Sequence, residues 1–144
     1  MSRRNIIILV VCTVILVIAS ITTIQKEPVV SGAFLSSNKD PVQGEIKTED
    51  DHYYFKDPGA DIYLILSVKN LNTSDQVKIK WKTVENGNEE IIQENTVYPD
   101  QDGSGTIVLS LIKRNDSYSP GIYRVDILLN NAWQFSKQFL LSDG

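Results

Sequence analysis

Between the pairs Pro120-Gly121 and Asn130-Asn131 the chain places Tyr123, Val125, Ile127 and Leu129 on every second position, with Arg124 and Asp126 between them. A period of two marks a strand with one buried face, because successive side chains of an extended backbone point to opposite sides. Pro-Gly before the run and Asn-Asn after it are turn chemistry, so the strand is bounded at both ends. Such a strand needs neighbours on either edge and a second apolar layer over its buried face, which the rest of the chain must supply. Arg124, facing away from that layer, is expected to contribute little to stability.

Further runs of the same kind follow one another. In 61–69 the residues Ile62, Leu64, Leu66 and Val68 share a face, and in 77–82 Val77, Ile79 and Trp81 alternate with Lys78, Lys80 and Lys82. Asn86-Gly87-Asn88 is a strong hairpin signal, after which 90–98 returns with Ile92, Thr96, Val97 and Tyr98. Ile107, Leu109 and Leu111 lie in phase within 106–112. The last run, 133–141, slips phase once near Ser136 or Lys137, where a bulge would reconcile Phe135 with Phe139. An edge strand over 31–36 makes seven, since edges tolerate the breaks at Pro28, Gly32, Pro41 and Gly44. With no helical period beyond the N-terminal apolar run, the chain reads as all-β.

That N-terminal run, Ile6 to Ile24, carries no charge, and 19 residues of helix span roughly 28 Å, close to a bilayer's hydrocarbon thickness. Arg3 and Arg4 precede it, which keeps residues 1–5 as a cytoplasmic stub and the remainder outside the cell membrane as a single-pass protein. A cleaved signal peptide is the alternative: Val17-Ile18-Ala19 offers small residues at the inspected positions, and cleavage near Ala19 would secrete the domain. Residues 25–44 then form a tether holding the edge strand, and 45–144 form the domain. Beyond residue 24 there are 12 basic residues (14 less Arg3 and Arg4) against 18 acidic, a net of −6 that would repel phosphate backbones and argues against nucleic acid. The single cysteine, Cys12, sits in the apolar run, which leaves no disulfide, thiolate metal site or thiol nucleophile for the domain.

The order of features resembles an immunoglobulin-like or fibronectin type III-like sandwich over about residues 45–142. Trp81 stands where the core tryptophan of the third strand stands in that family, and Tyr123 stands at its tyrosine corner. Val125 takes the place of the second core cysteine, with Val68 or Leu66 near the first; the missing pair points to the disulfide-free relatives. The resemblance implies a seven-stranded sandwich in which the Tyr123 hydroxyl bonds a backbone group between Asp116 and Pro120. It implies no activity, because the architecture hosts many unrelated roles.

Candidate chemistry is sparse. His52, the lone histidine, reads as a solvated loop residue beside Asp50 and Asp51. The string Asp100-Gln101-Asp102-Gly103-Ser104-Gly105 resembles part of a calcium loop, but aligning Gly103 with the loop glycine puts Tyr98 and Leu109 at ligand positions, so a turn accounts for it. Glu45, Glu49, Asp50, Asp51, Asp57 and Asp61 form an acidic stretch with no cleft for paired-carboxylate chemistry. The stripe Lys78, Lys80 and Lys82 fits a salt ladder with Glu89, Glu90 or Glu94 and with Asp126, or a surface for an acidic partner or glycan. Tyr53, Tyr54, Phe55 and Trp133 fill the core or form a sugar-stacking face. Asn72-Thr73-Ser74 and Asn115-Asp116-Ser117 match the N-glycosylation triplet. The expectation is a module with no enzymatic activity, no cofactor and no metal, binding a protein partner at the cell envelope as a structural or accessory subunit. A glycan- or peptide-binding module is the alternative, with Lys78, Lys80, Lys82, Tyr53, Tyr54 and Trp133 as its surface.

Overall fold

A computed structural model describes residues 26–38 and 52–142, with His52 described through its backbone alone. The apolar segment 6–24, the stub 1–5, residues 39–44 of the tether and the acids Glu45, Glu49, Asp50 and Asp51 lie outside the described residues. Among the described residues, no helix is long and apolar enough to cross a membrane.

The described chain is all-β, with eight strands in two sheets. In chain order they are β1 (Val29–Ser36), β2 (His52–Phe55), β3 (Tyr63–Leu71), β4 (Val77–Glu85), β5 (Asn88–Val97), β6 (Gly103–Ser110), β7 (Gly121–Leu129) and β8 (Ala132–Leu141). One sheet has the order β1-β3-β6 and the other β2-β8-β7-β4-β5. All pairings are antiparallel except that of β2 with β8. One apolar core is drawn from both sheets: Leu64, Leu66 and Val68 of β3 from the first, Val77, Ile79, Trp81, Val125, Ile127 and Phe139 from the second. These are the alternate positions that the period-two pattern marked.

Eight strands replace the expected seven. The addition is β2, whose four residues are too few to show alternation and follow a run of acids. It forms because Tyr53 reaches the core, 7 % exposed, while its backbone extends the sheet alongside β8. β1 is the expected edge strand, begun two residues earlier. Its register shifts between Val30 and Gly32, so the bulge at Ser31 brings Val30, Ala33 and Leu35 opposite the inward Val68, Leu66 and Leu64. That shift is why its apolar residues do not alternate in the sequence.

The slip expected in β8 lies elsewhere. Phe135, Lys137, Phe139 and Leu141 keep a single phase opposite Ile127, Val125, Tyr123 and Gly121. Lys137 takes an inward position and is 8 % exposed, its ammonium 5.7 Å from the Phe135 ring centroid, and a lysine there disguises the alternation. The register shifts instead between Ile127 and Leu128, which leaves Gln134 as the extra residue and turns Trp133 onto the outer face opposite Leu128.

Phe139 is the centre of the core. Tyr123 stacks on it at 4.9 Å, and Phe55 and Trp81 meet it edge-on at 5.6 and 6.5 Å. The Tyr123 hydroxyl donates to the carbonyl of Ser119, four residues upstream, inside the expected window. Trp81 is 1 % exposed, and its indole N–H donates to Asn95 Oδ1 at 3.1 Å. Asn95 reaches it because a further register shift, between Trp81 and Lys82, turns Gln93, Asn95 and Val97 inward and leaves Ile92 as the extra residue. Gln93 then joins the two sheets: its amide donates to Ser110 O at 2.9 Å and accepts from Ile112 N at 2.8 Å.

The turns follow their chemistry. Asn86 and Gly87 both have positive φ (51° and 78°), the geometry of a two-residue hairpin loop, and so do Asn130 and Asn131 (50° and 66°). Asn130 also donates to the carboxylate of Asp75 at 2.9 Å and accepts from Gln76 N at 2.8 Å, tying the β7–β8 turn to the β3–β4 connection.

Candidate interaction face

The register of the five-stranded sheet turns its outward side chains into rows running across the strands. At one end Tyr54 of β2 lies beside Leu140 of β8, Leu140 beside Ile122 of β7, and Ile122 beside Val84 of β4. Tyr54, Leu140 and Ile122 are 50, 43 and 40 % exposed, so an apolar row four strands wide faces solvent. The next row runs Gln138, Arg124, Lys82 and Ile91, the third Ser136, Asp126, Lys80 and Glu94, and the last Trp133, Leu128, Lys78 and Thr96.

The two central rows are locked to one another. Asp126 is 6 % exposed and accepts from Lys82 at 2.6 Å, from Arg124 Nε at 2.9 Å and from Ser136 Oγ at 2.5 Å. Glu89 closes the group, 2.7 Å from Arg124 and 3.3 Å from Lys82. Burial by itself would raise the Asp126 carboxyl; the hydrogen bonds from Lys82, Ser136 and Arg124 outweigh it and hold the group below the ordinary carboxylate range. The hydrogen bond to Asp126 raises Lys82 above the ordinary lysine value, against the opposing effect of its own burial. Trp133 is 62 % exposed, and its indole N–H donates to Ser136 Oγ at 2.8 Å, which fixes the ring to the edge of this network.

The residues singled out in the sequence separate accordingly. Lys78 pairs with Glu94 at 3.7 Å and Lys82 with Glu89 and Asp126, the ladder anticipated for the stripe, while Lys80 makes no ion pair among the described residues. Tyr53 is in the core rather than on a surface, because it faces inward from β2 opposite Phe139. Tyr54 and Trp133 stand in the first and last rows, with two rows of mostly charged and polar side chains between them, so the three aromatics do not assemble into one flat platform. Trp81, Tyr123 and Val125 are all inward and buried.

Two features escaped the sequence. Ile122, Leu140 and Val84 lie far apart in the chain from Tyr54, and only the register brings the four into one row. Asp126 and Ser136 are ordinary outward polar residues until pairing of β7 with β8 sets them opposite each other. Elsewhere, Asp102 accepts from Thr73 N at 3.0 Å and serves the loop before β6, and His52 begins β2 instead of lying in a loop.

No family model matches the chain, and no curated protein matches it. Among solved structures it is similar to the Pseudomonas fluorescens alkylpurine DNA glycosylase AlkC bound to DNA containing an abasic site analog. The identity is 11 % and the TM-score 0.41, over 81 % of this chain and 30 % of the glycosylase chain. That protein is an enzyme and binds DNA, so two exclusions drawn from composition and motifs, no enzymatic activity and no nucleic-acid partner, are withdrawn. A likeness this distant supplies no argument for either property here.

Proposed function

We propose that this chain is an immunoglobulin-like interaction module, held at a membrane surface by residues 6–24, that docks a protein partner on the outer face of its five-stranded sheet. The immunoglobulin-like assignment is supported by the Tyr123 hydroxyl on the Ser119 carbonyl, by Trp81 in the core opposite Val125, and by the division of the strands between two sheets. The chargeless run behind Arg3 and Arg4 supports the location.

The observation that carries the docking role is the row Tyr54, Leu140, Ile122 and Val84. Burying the exposed halves of the first three, 50, 43 and 40 % exposed, would contribute about 1 kcal/mol each on association. The neighbouring Lys82, Arg124, Asp126 and Glu89 satisfy one another, so a partner covering them need not leave a charge unpaired. A sugar-stacking role for the aromatics loses its support, since Tyr53 is internal and Tyr54 and Trp133 stand at opposite ends of the face.

The test is site-specific photo-crosslinking of the full chain in its native membranes, with the crosslinker at Leu140 and, in parallel, at Thr106 on β6. A discrete adduct at Leu140, absent at Thr106 and abolished by Ile122→Asp without a change in melting temperature, is the expected outcome. Equal adducts at both positions, or retention in Ile122→Asp, would refute docking on this face. Protease shaving of intact cells tests the location separately.

A further inference from the structure

A cleft of about 500 Å³ lies on the inner side of the strands whose outer side carries Val84 and Ile122. Thr83 of β4 and Ile92 and Gln93 of β5 form one wall, and the connection from β6 to β7, through residues 111–112, 114–115 and 117–120, forms the other. Two buried hydroxyls stiffen it: Tyr118 donates to Leu111 O at 2.6 Å, and Tyr123 donates to Ser119 O. The connection is drawn into a tight turn at Asn115 and Asp116, both with positive φ, closed by a bridge between Arg114 and Ser117. The volume is that of a small-molecule or peptide-end site.

The polar inventory of this cleft is one-sided. The Gln93 amide and the two tyrosine hydroxyls are spent on the fold. The Arg114 guanidinium, the Asn115 amide and the hydroxyls of Thr83, Ser117 and Ser119 make no side-chain hydrogen bond or ion pair with any described residue. None of the lining residues is acidic, in a chain whose acids outnumber its bases by six beyond residue 24. Lys113, the neighbouring cation, is turned away to Asp61 at 2.9 Å. Donors unspent on the described residues, all but Thr83 exposed to solvent, therefore surround a single guanidinium, and among the described residues no carboxylate lines the space, Asp116 of the turn lying outside the lining. Beside them Ile112 is 72 % exposed and Ile92 partly buried, an aliphatic wall next to the charge.

We propose that this cleft binds a carboxylate carrying an apolar group on the adjacent carbon. Arg114 would take the two oxygens in its planar fork, the hydroxyls and the Asn115 amide would fill their remaining lone pairs, and Ile112 and Ile92 would cover the apolar group. One guanidinium matches a monoanion better than a phosphate dianion, and the aliphatic wall selects against a bare inorganic ion. The same chemistry is found in a free apolar acid and in the C-terminal residue of a peptide. The site is separate from the docking face and does not rest on it.

The full chain, isotope-labelled and held in mild detergent, is titrated with four probes while backbone amide resonances are followed. The probes are N-acetyl-leucine, N-acetyl-leucinamide, and the peptide acetyl-Gly-Gly-Leu with a free or an amidated C-terminus. Saturable shifts confined to residues 83, 92–93 and 111–120, at least tenfold weaker for each amide than for its acid, are expected. Arg114→Gln should abolish the acid preference, and Ile112→Ser should weaken binding several-fold while keeping it. Both substituted side chains are exposed, so the melting temperature should not move. A free-acid peptide binding tenfold tighter than N-acetyl-leucine assigns the site to a peptide terminus, and equal affinities assign it to small acids. Amides that bind as well as acids, undiminished binding by Arg114→Gln, or shifts mapping elsewhere would overturn the proposal.

Discussion

Replacing Asp126 with Asn tests whether the outer face is held by charge or only by shape. The substitution preserves volume but removes the carboxylate that accepts from Lys82, Arg124 and Ser136, and it aims an NH₂ group at donors. Removing one member of a buried ion pair costs about 3–5 kcal/mol, because the partner charge is left uncompensated. Here the partners are less stranded. The Lys82 and Arg124 side chains retain 18 and 37 % of their exposure and both still reach Glu89, so the loss should fall to about 2–3 kcal/mol. The pH dependence follows from the lowered folded-state pKa of Asp126. Its contribution is fully present above the unfolded carboxylate value and is lost as pH falls through the folded one. Urea melts of the full chain in mild detergent should therefore show wild type well above Asp126→Asn at pH 7. The gap should narrow as pH drops below about 4, the ordinary aspartate range. A difference under about 0.5 kcal/mol at pH 7, or one unchanged down to about pH 2, would refute the reasoning.

Three further outcomes are expected in the same melts. Tyr123→Phe keeps the ring on Phe139 but leaves the Ser119 carbonyl without its donor, and should cost about 1–2 kcal/mol. Trp81→Ala empties the largest fully buried side chain and leaves Asn95 Oδ1 with Gln93 as its remaining donor, and should cost about 3–5 kcal/mol, with loss of the cooperative transition as the extreme result. Arg124→Ala should cost about 1 kcal/mol, because Lys82 and Ser136 still hold Asp126 and the arginine is more than a third exposed. That exceeds the negligible effect expected of an outward arginine, and a value near zero would mean that the ion pairs around Glu89 contribute nothing.

Alternation identified the inward faces of β3, β4 and β7, with Trp81 and Tyr123 on them, while the backbone bond of the Tyr123 hydroxyl came from the resemblance to immunoglobulin-like sandwiches. Each of those strands buries one face against an apolar layer, and a one-residue slip would turn every apolar side chain to solvent. Turn chemistry was equally legible, since only Asn and Gly enter the left-handed region cheaply at Asn86-Gly87 and Asn130-Asn131. What pairing decides lay beyond this local information. The extra residues at Ser31, Ile92 and Gln134 shift phase because of a neighbouring strand's register, so Asn95 reaches Trp81 and Trp133 turns outward for reasons found in β4 and β7. β2 exists only because β8 offers an edge and the core offers Tyr53 a place. The apolar row, the Asp126 network and the Arg114 cleft each join residues distant in the chain. The pattern of one strand records which way its side chains face, and only tertiary pairing determines which other side chains they meet.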